Sequence, residues 1–205
     1  MKRNIRLAGL CAGLLVAATL GGCAAVVVGS AVGTALVVTD RRTSGTQLED
    51  QNIELKALTR VRESVGDRGH VNTTSYNRLV LLTGEVQTDT DRSAVEQAVG
   101  RIENVRSIVN ELGVMGASSL TSRSNDTILT SKVKASLIDA KDLQAGAIKV
   151  VTERAVVYLM GRVTEREANR ATDLARGVPG VQKVVKVFEN LTEAELATLG
   201  TETKK

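Results

Sequence analysis

Two thiols, one imidazole and a scatter of serines and carboxylates are the side chains here with chemistry to offer: Cys11, Cys23, His70 and 23 acidic residues in a chain of 205. A thiol serves as nucleophile, metal ligand, disulfide partner or acyl acceptor, and its sequence neighbours decide which. No Gly-x-Ser-x-Gly, phosphate-binding loop or dinucleotide glycine pattern occurs, and His70 sits in no cluster of His, Cys, Asp and Glu at metal-ligand spacing. His70 therefore reads as a solvated loop residue, and Ser124-Asn125-Asp126 as a helix cap. The expectation is a protein with no catalytic residues, no metal and no cofactor.

Cys23 has the more telling surroundings. Lys2, Arg3 and Arg6 precede an apolar run from Leu7 to Leu20, and Leu20-Gly21-Gly22 lead directly into Cys23. This is the layout of a secretory signal, and the run is short of the roughly 20 apolar residues that span a bilayer. Leu20-Gly21-Gly22-Cys23 resembles the bacterial lipobox, in which small residues admit a peptidase and leave a cysteine that carries diacylglycerol. Residues 1–22 are thus expected to be a lipoprotein signal peptide and Cys23 the lipidated first mature residue. Ala24 stands where an Asp would resemble an inner-membrane retention signal, so the expected address is the outer membrane, lipid-anchored, with the domains facing the periplasm. Cys11 leaves with the signal, so no thiol remains for disulfide, catalysis or metal.

Charge narrows the partners. The 27 basic and 23 acidic residues give +4, and loss of Lys2, Arg3 and Arg6 leaves 24 against 23, or +1. Near-neutrality, with one Phe, two Tyr and no Trp, argues against nucleic acid.

Residues 23–45 begin small and apolar and read as a lipidated tether, although Gly29-x-x-x-Gly33 permits helix packing. Beyond it the sequence repeats itself: Val71 to Val86 matches Ile148 to Val163, with Gly84 and Gly161 lying 77 positions apart. Ile148 and Val150 alternate with polar residues and Val156 to Met160 are continuously apolar, both strand patterns. After each glycine, Val95, Ala98 and Ile102, and likewise Ala168, Ala171, Ala175 and Val178, recur at helical steps. Thr88-x-x-Asp91 and Thr164-x-x-Glu167 cap these helices, and Pro179-Gly180 closes the second. Valine-rich strands follow at Val105 to Leu112 and Val181 to Phe188. A further helix precedes each hairpin, from about Leu48 to Val65 and from about Thr127 to Ala140.

The fold class expected is α+β: two tandem modules, residues 46–115 and 124–192, each with about three mixed strands packed on two helices in the order αββαβ. Residues 113–124 connect them, and 193–205 form a C-terminal tail with a short capped helix at its start. Modules this small, without a disulfide, should pack together.

These features resemble a known family. Gly84 and Gly161, each between valine-rich strands and followed by a capped helix, look like the two BON domains of bacterial envelope proteins. Ser124 to Lys134 and Val156 to Glu167 carry a similarity to outer-membrane lipoproteins bearing the domain twice, over nearly the whole mature chain. The resemblance implies support of envelope integrity, binding of anionic phospholipid through the first helix of one module, and enrichment at division sites.

The residues allow a separate reading of the same helix. Residues 46–115 hold 8 basic and 11 acidic side chains, or −3, whereas 117–190 hold 12 and 8, or +4. On a helix from about Thr127, steps of 100° put Leu129, Val133 and Leu137 on a core stripe and turn Ile128 outward. Lys132 lies one turn on, beside Ser131 and Ala135, with Lys134 and Thr127 at the flank. An outward Ile128 ringed by lysines suits an anionic lipid surface. A lone exposed apolar residue among solvated lysines is also ordinary surface. Ile128 stands where the family places a membrane-inserting aromatic, a departure that removes the interfacial ring. The alternative function is a periplasm-facing scaffold that binds outer-membrane protein assembly machinery through sheet edges or the acidic first module.

Overall fold

Thr43 accepts the amide of Thr46 and starts α1 (Ser44–Val65), whose buried stripe runs through Asp50, Ile53, Ala57, Val61 and Val65. The computed structural model describes residues 40–202. The signal peptide, Cys23 and the Gly29-x-x-x-Gly33 stretch lie outside the described residues.

After α1 come β1 (Gly69–Tyr76) and β2 (Leu79–Val86), an antiparallel hairpin in which Tyr76 faces Leu79. α2 (Asp89–Gly100) crosses over, and β3 (Ser107–Asn110) and β4 (Gly113–Val114) both run parallel to β2. The second module repeats the plan with α3 (Leu120–Asp139), β5 (Ile148–Glu153), β6 (Val156–Thr164), α4 (Glu165–Arg176) and β7 (Lys183–Leu191). β5 pairs antiparallel and β7 parallel with β6. α5 (Glu193–Glu202) ends the described chain. The α+β class and the αββαβ order are those expected, and the crossover helix supplies the long connection that a parallel pair needs.

Three cores hold the modules. Ile53, Val80, Leu82, Val95 and Val99 pack α1 and α2 on the first sheet. Leu129, Val133, Leu137, Leu159 and Ala171 do the same for α3 and α4 on the second. The third joins the two sheets: Tyr76 and Leu81 pack with Tyr158, Met160 and Val187. β2 and β6 are therefore buried on both faces, which is why Leu79 to Leu82 and Val156 to Met160 read as unbroken apolar runs.

The repeated glycines answer a steric demand. Gly84 faces Val71 at φ 110°, and a Cβ there would strike the carbonyl oxygen of His70. Gly161 faces Ile148, and a Cβ there would strike the carbonyl oxygen of Ala147. Each glycine lets the two hairpin backbones approach closely.

The structure moves several boundaries. α3 starts at Leu120, capped by Ser119, so Ser124-Asn125-Asp126 lies within the helix and caps nothing. Its first turns escaped the periodicity because they run past the core; Leu120 is 80% exposed. The 113–124 connector thus contains β4 and the start of α3. The long strand read from Val105 to Leu112 is interrupted where the Asn110 side chain accepts the Leu112 amide. α1 begins before Leu48, and Asp40 to Thr43, read as tether, are docked: Arg41 is buried and Arg42 lies over the Tyr76 ring, 4.1 Å from its centroid. Residues 193–202 of the C-terminal tail are helical, and the Thr192 amide donates to Glu195 Oε2 as Thr192 Oγ1 accepts the Glu195 amide.

Candidate functional site

α3 is held against the second sheet by Leu129, Val133 and Leu137, 7, 0 and 1% exposed, and this fixes which residues face solvent. Thr127, Ile128, Ser131, Lys132, Lys134 and Ala135 are all exposed, with Ile128 at 55%. Thr127 Oγ1 donates to the Arg123 carbonyl and Ser131 Oγ to the Thr127 carbonyl, so both hydroxyls are turned back onto the helix. One residue was missed in the sequence. Ile138, 56% exposed, falls beside Ala135 and Ser131 on the outward face. The face is therefore an apolar strip of Ile128, Ala135 and Ile138 with Lys132 on one side and Lys134 on the other. An open groove of about 760 Å³ runs beside it, lined by Lys132, Ala135, Arg170 and Leu174 together with Asp139 and Asp173.

Asp126, in the same helix, points the other way and is 7% exposed. Its oxygens accept the Arg154 amide at 2.9 Å and the Ala155 amide at 2.8 Å. Those residues form the two-residue β5–β6 turn with φ of 51° and 58°. Such a turn favours Asn-Gly, and left-handed backbone at Arg and Ala costs on the order of 1 kcal/mol per residue. Asp50 occupies the equivalent place on α1. It accepts the Asn77 amide at 2.7 Å and the Arg78 amide at 2.8 Å, from a turn with φ of 51° and 65°, and also Ser75 Oγ at 2.6 Å and Arg42 Nη1 at 2.8 Å. Burial opposes the charge on Asp50, but the bonds from Ser75, Arg78, Arg42 and Asn77 outweigh it and hold the carboxyl below the usual carboxylate range. A helix aspartate thus clamps the hairpin turn in each module.

Polar bonds ring the apolar seam between the sheets. Arg41 places Nη1 2.7 Å and Nη2 2.8 Å from the two oxygens of Glu167, a bidentate pair that fastens the residues before α1 to the second module. Burial disfavours the Glu167 charge, and the Arg41 and Thr164 bonds overcome it, so its pKa is lowered. Glu189 gathers Arg106 and Asn77 of the first module and Arg162 of the second. Lys149 reaches Glu54 at 3.0 Å.

His70 is not a loop residue. It lies half-buried in β1 with Nδ1 3.4 Å from Glu85 Oε2, and donor atoms of His70, Glu85 and Glu153 lie within 4.8 Å of one another. Their positions in sequence gave no ligand spacing; the turn of β1 into β2 and the packing of the two hairpins bring them together.

The first module carries an apolar surface of its own. Leu48, Leu55 and Leu58 of α1 are 60, 66 and 57% exposed, and Leu55 and Leu58 line a groove of about 470 Å³ with Glu54 and Val71. Among the described residues no helix is long and apolar enough to cross a membrane.

The family model described as BON domain matches residues 49–116 and 125–190. The outer membrane lipoprotein DolP of Haemophilus influenzae is 39% identical over 175 residues, 84% of this chain and 90% of that protein. A 21 kDa hemolysin of Actinobacillus pleuropneumoniae is 29% identical, over 73% of this chain and 78% of its own length. The osmotically inducible protein Y of Escherichia coli is 27% identical, over 68% and 72%.

Proposed function

The chain belongs to the BON-domain family, carrying the domain twice, and on that footing we propose that it is a non-enzymatic outer-membrane lipoprotein, anchored through Cys23, whose second module binds anionic phospholipid. The domains face the periplasm and support envelope integrity, with division sites as a place of enrichment. The observation that carries the lipid reading is the outward face of α3: Ile128, Ala135 and Ile138 exposed between Lys132 and Lys134. The similarity to an outer membrane lipoprotein supports the anchor.

The energetics suit a reversible second contact. Each basic residue near an anionic leaflet contributes about 1 kcal/mol, and burying an isoleucine about 1.5–3 kcal/mol. The acyl chains on Cys23 would confine the protein to the surface, so weak contact by α3 suffices.

Replacing Cys23 separates the two attachments. A Cys23→Ser chain is expected to carry no diacylglycerol by mass spectrometry, and still to float with phosphatidylglycerol vesicles at low salt while ignoring phosphatidylcholine. Flotation indifferent to headgroup, or none at all, would remove the lipid reading. The exposed leucines of α1 favour a second reading, a scaffold that docks a segment of outer-membrane assembly machinery on the first module. In that case crosslinks to an envelope protein form at Leu55 and Leu58.

A further inference from the structure

His70, Glu85 and Glu153 meet where the two hairpins meet, and two of their polar atoms are left without a hydrogen bond. Glu85 is 1% exposed, and among the described residues its Oε1 has no hydrogen-bond partner; nor does the buried Nδ1 of His70. Buried polar atoms of this kind cost free energy unless something meets them. Glu85 Oε2 accepts the Ser118 amide at 3.1 Å, and Glu153 Oε2 accepts Asn72 Nδ2 at 2.9 Å, so both carboxylates are oriented by neighbours. Arg154 Nε lies 3.7 Å from Glu85 Oε1, outside hydrogen-bond reach. Glu85, Glu153 and the neighbouring Asp126 outnumber the guanidiniums of Arg154 and Arg123, so acidic groups are in excess around the cluster.

We propose that His70, Glu85 and Glu153 form a divalent transition-metal site, of which zinc is the fitting probe, bridging the two modules. One imidazole and two carboxylates are a ligand set that zinc accepts, whereas magnesium and calcium take oxygen ligands throughout. Ligands of a tetrahedral zinc, bound at about 2.0–2.2 Å, stand roughly 3.3 Å apart. His70 Nδ1 and Glu85 Oε2 already stand at 3.4 Å, and the three donors within 4.8 Å need only a modest contraction. A pocket of about 200 Å³ lined by His70, Asn72, Arg123, Thr130 and Glu153 opens at the cluster and gives an entry path and room for a water ligand. Ligands from β1 and β2 of one module and β5 of the other make the ion a clasp across the seam, reached through a pocket that α3 also lines with Arg123, Asp126, Thr127 and Thr130.

The test uses the full, tag-free chain in detergent, titrated with zinc chloride by equilibrium dialysis and by NMR. The chain has a single histidine, so its ring signals report on His70 alone. The expected result is one zinc per chain, with the His70 ring signals shifting to saturation and excess magnesium failing to compete. His70→Asn and Glu153→Gln, whose side chains line the pocket, should each weaken uptake at least tenfold. Glu85→Gln is left aside because Glu85 does not line the pocket and its Oε2 also holds the Ser118 amide. The site is refuted by the absence of saturable uptake, by zinc uptake that leaves the His70 signals unmoved, or by uptake that survives both substitutions. Should either variant fail to fold, the ring signals of the unsubstituted chain decide alone.

Discussion

Asp50→Ala should lower the unfolding free energy by about 3–5 kcal/mol and the melting temperature by roughly 10 °C. The substitution removes one carboxylate and four bonds, from Ser75 Oγ, Arg42 Nη1 and the amides of Asn77 and Arg78. A bond to a charged group is worth about 1.5–3 kcal/mol, the four are not additive, and the loss also removes two of the bonds that hold the left-handed turn residues at their φ. Domains of this kind have about 5–15 kcal/mol in total, so the first module is left marginal. Asp126→Ala removes only the Arg154 and Ala155 bonds and should cost about half as much. Urea denaturation of the two variants compares the same clamp in two modules; equal, small effects would show that the aspartates do not hold the turns.

The sign of the acid response follows from the same bonds. The folded pKa of Asp50 is lowered, so its contribution is fully present above the ordinary carboxylate range and is lost as pH falls through the depressed folded value. Glu167 and Glu189, also lowered, act in the same direction. Asp50→Ala should therefore flatten the acid limb of the stability curve.

Ile128→Asp combined with Lys132→Glu, in the Cys23→Ser chain, should weaken binding to phosphatidylglycerol or cardiolipin vesicles by about 100-fold or more. Losing the isoleucine forfeits about 1.5–3 kcal/mol, and reversing a lysine removes about 1 kcal/mol and adds repulsion of similar size; each 1.4 kcal/mol is tenfold. Both side chains are exposed, so stability should change by no more than about 0.5 kcal/mol, and a loss of flotation cannot be ascribed to unfolding. Leu55→Asp with Leu58→Asp is the matched control on the first module and should leave flotation as it was. Unchanged flotation of the α3 variant would reject that face.

Sequence and structure part at definable points. The repeat, the αββαβ order and the buried stripes were legible because period-two and period-3.6 patterns survive wherever one face meets a core. Gly84 and Gly161 were legible as a repeat, and their need to be glycine only once the opposing carbonyls of His70 and Ala147 were in place. Asp50 and Asp126 were hidden because a helix aspartate that accepts bonds from a distant turn looks like any polar residue; Asp126 was read as a cap for that reason. One signal was available. Both aspartates stand at like positions of the repeat, upstream of Asn77-Arg78 and Arg154-Ala155. His70, Glu85 and Glu153 were illegible as a group, since their meeting depends on the packing of one hairpin against another. The outward face of α3 is legible from 100° steps, which also put Ile138, one turn beyond Ala135, on that face.

The central claim is that α3 of the second module, and not α1 of the first, meets the bilayer. Backbone NMR of the chain on phosphatidylglycerol nanodiscs containing lipid with nitroxide-labelled acyl chains tests it residue by residue. Paramagnetic broadening is expected to be concentrated between Thr127 and Ile138 and strongest at Ile128. Broadening centred on Leu55 and Leu58 with α3 untouched, or none on either helix, would contradict it.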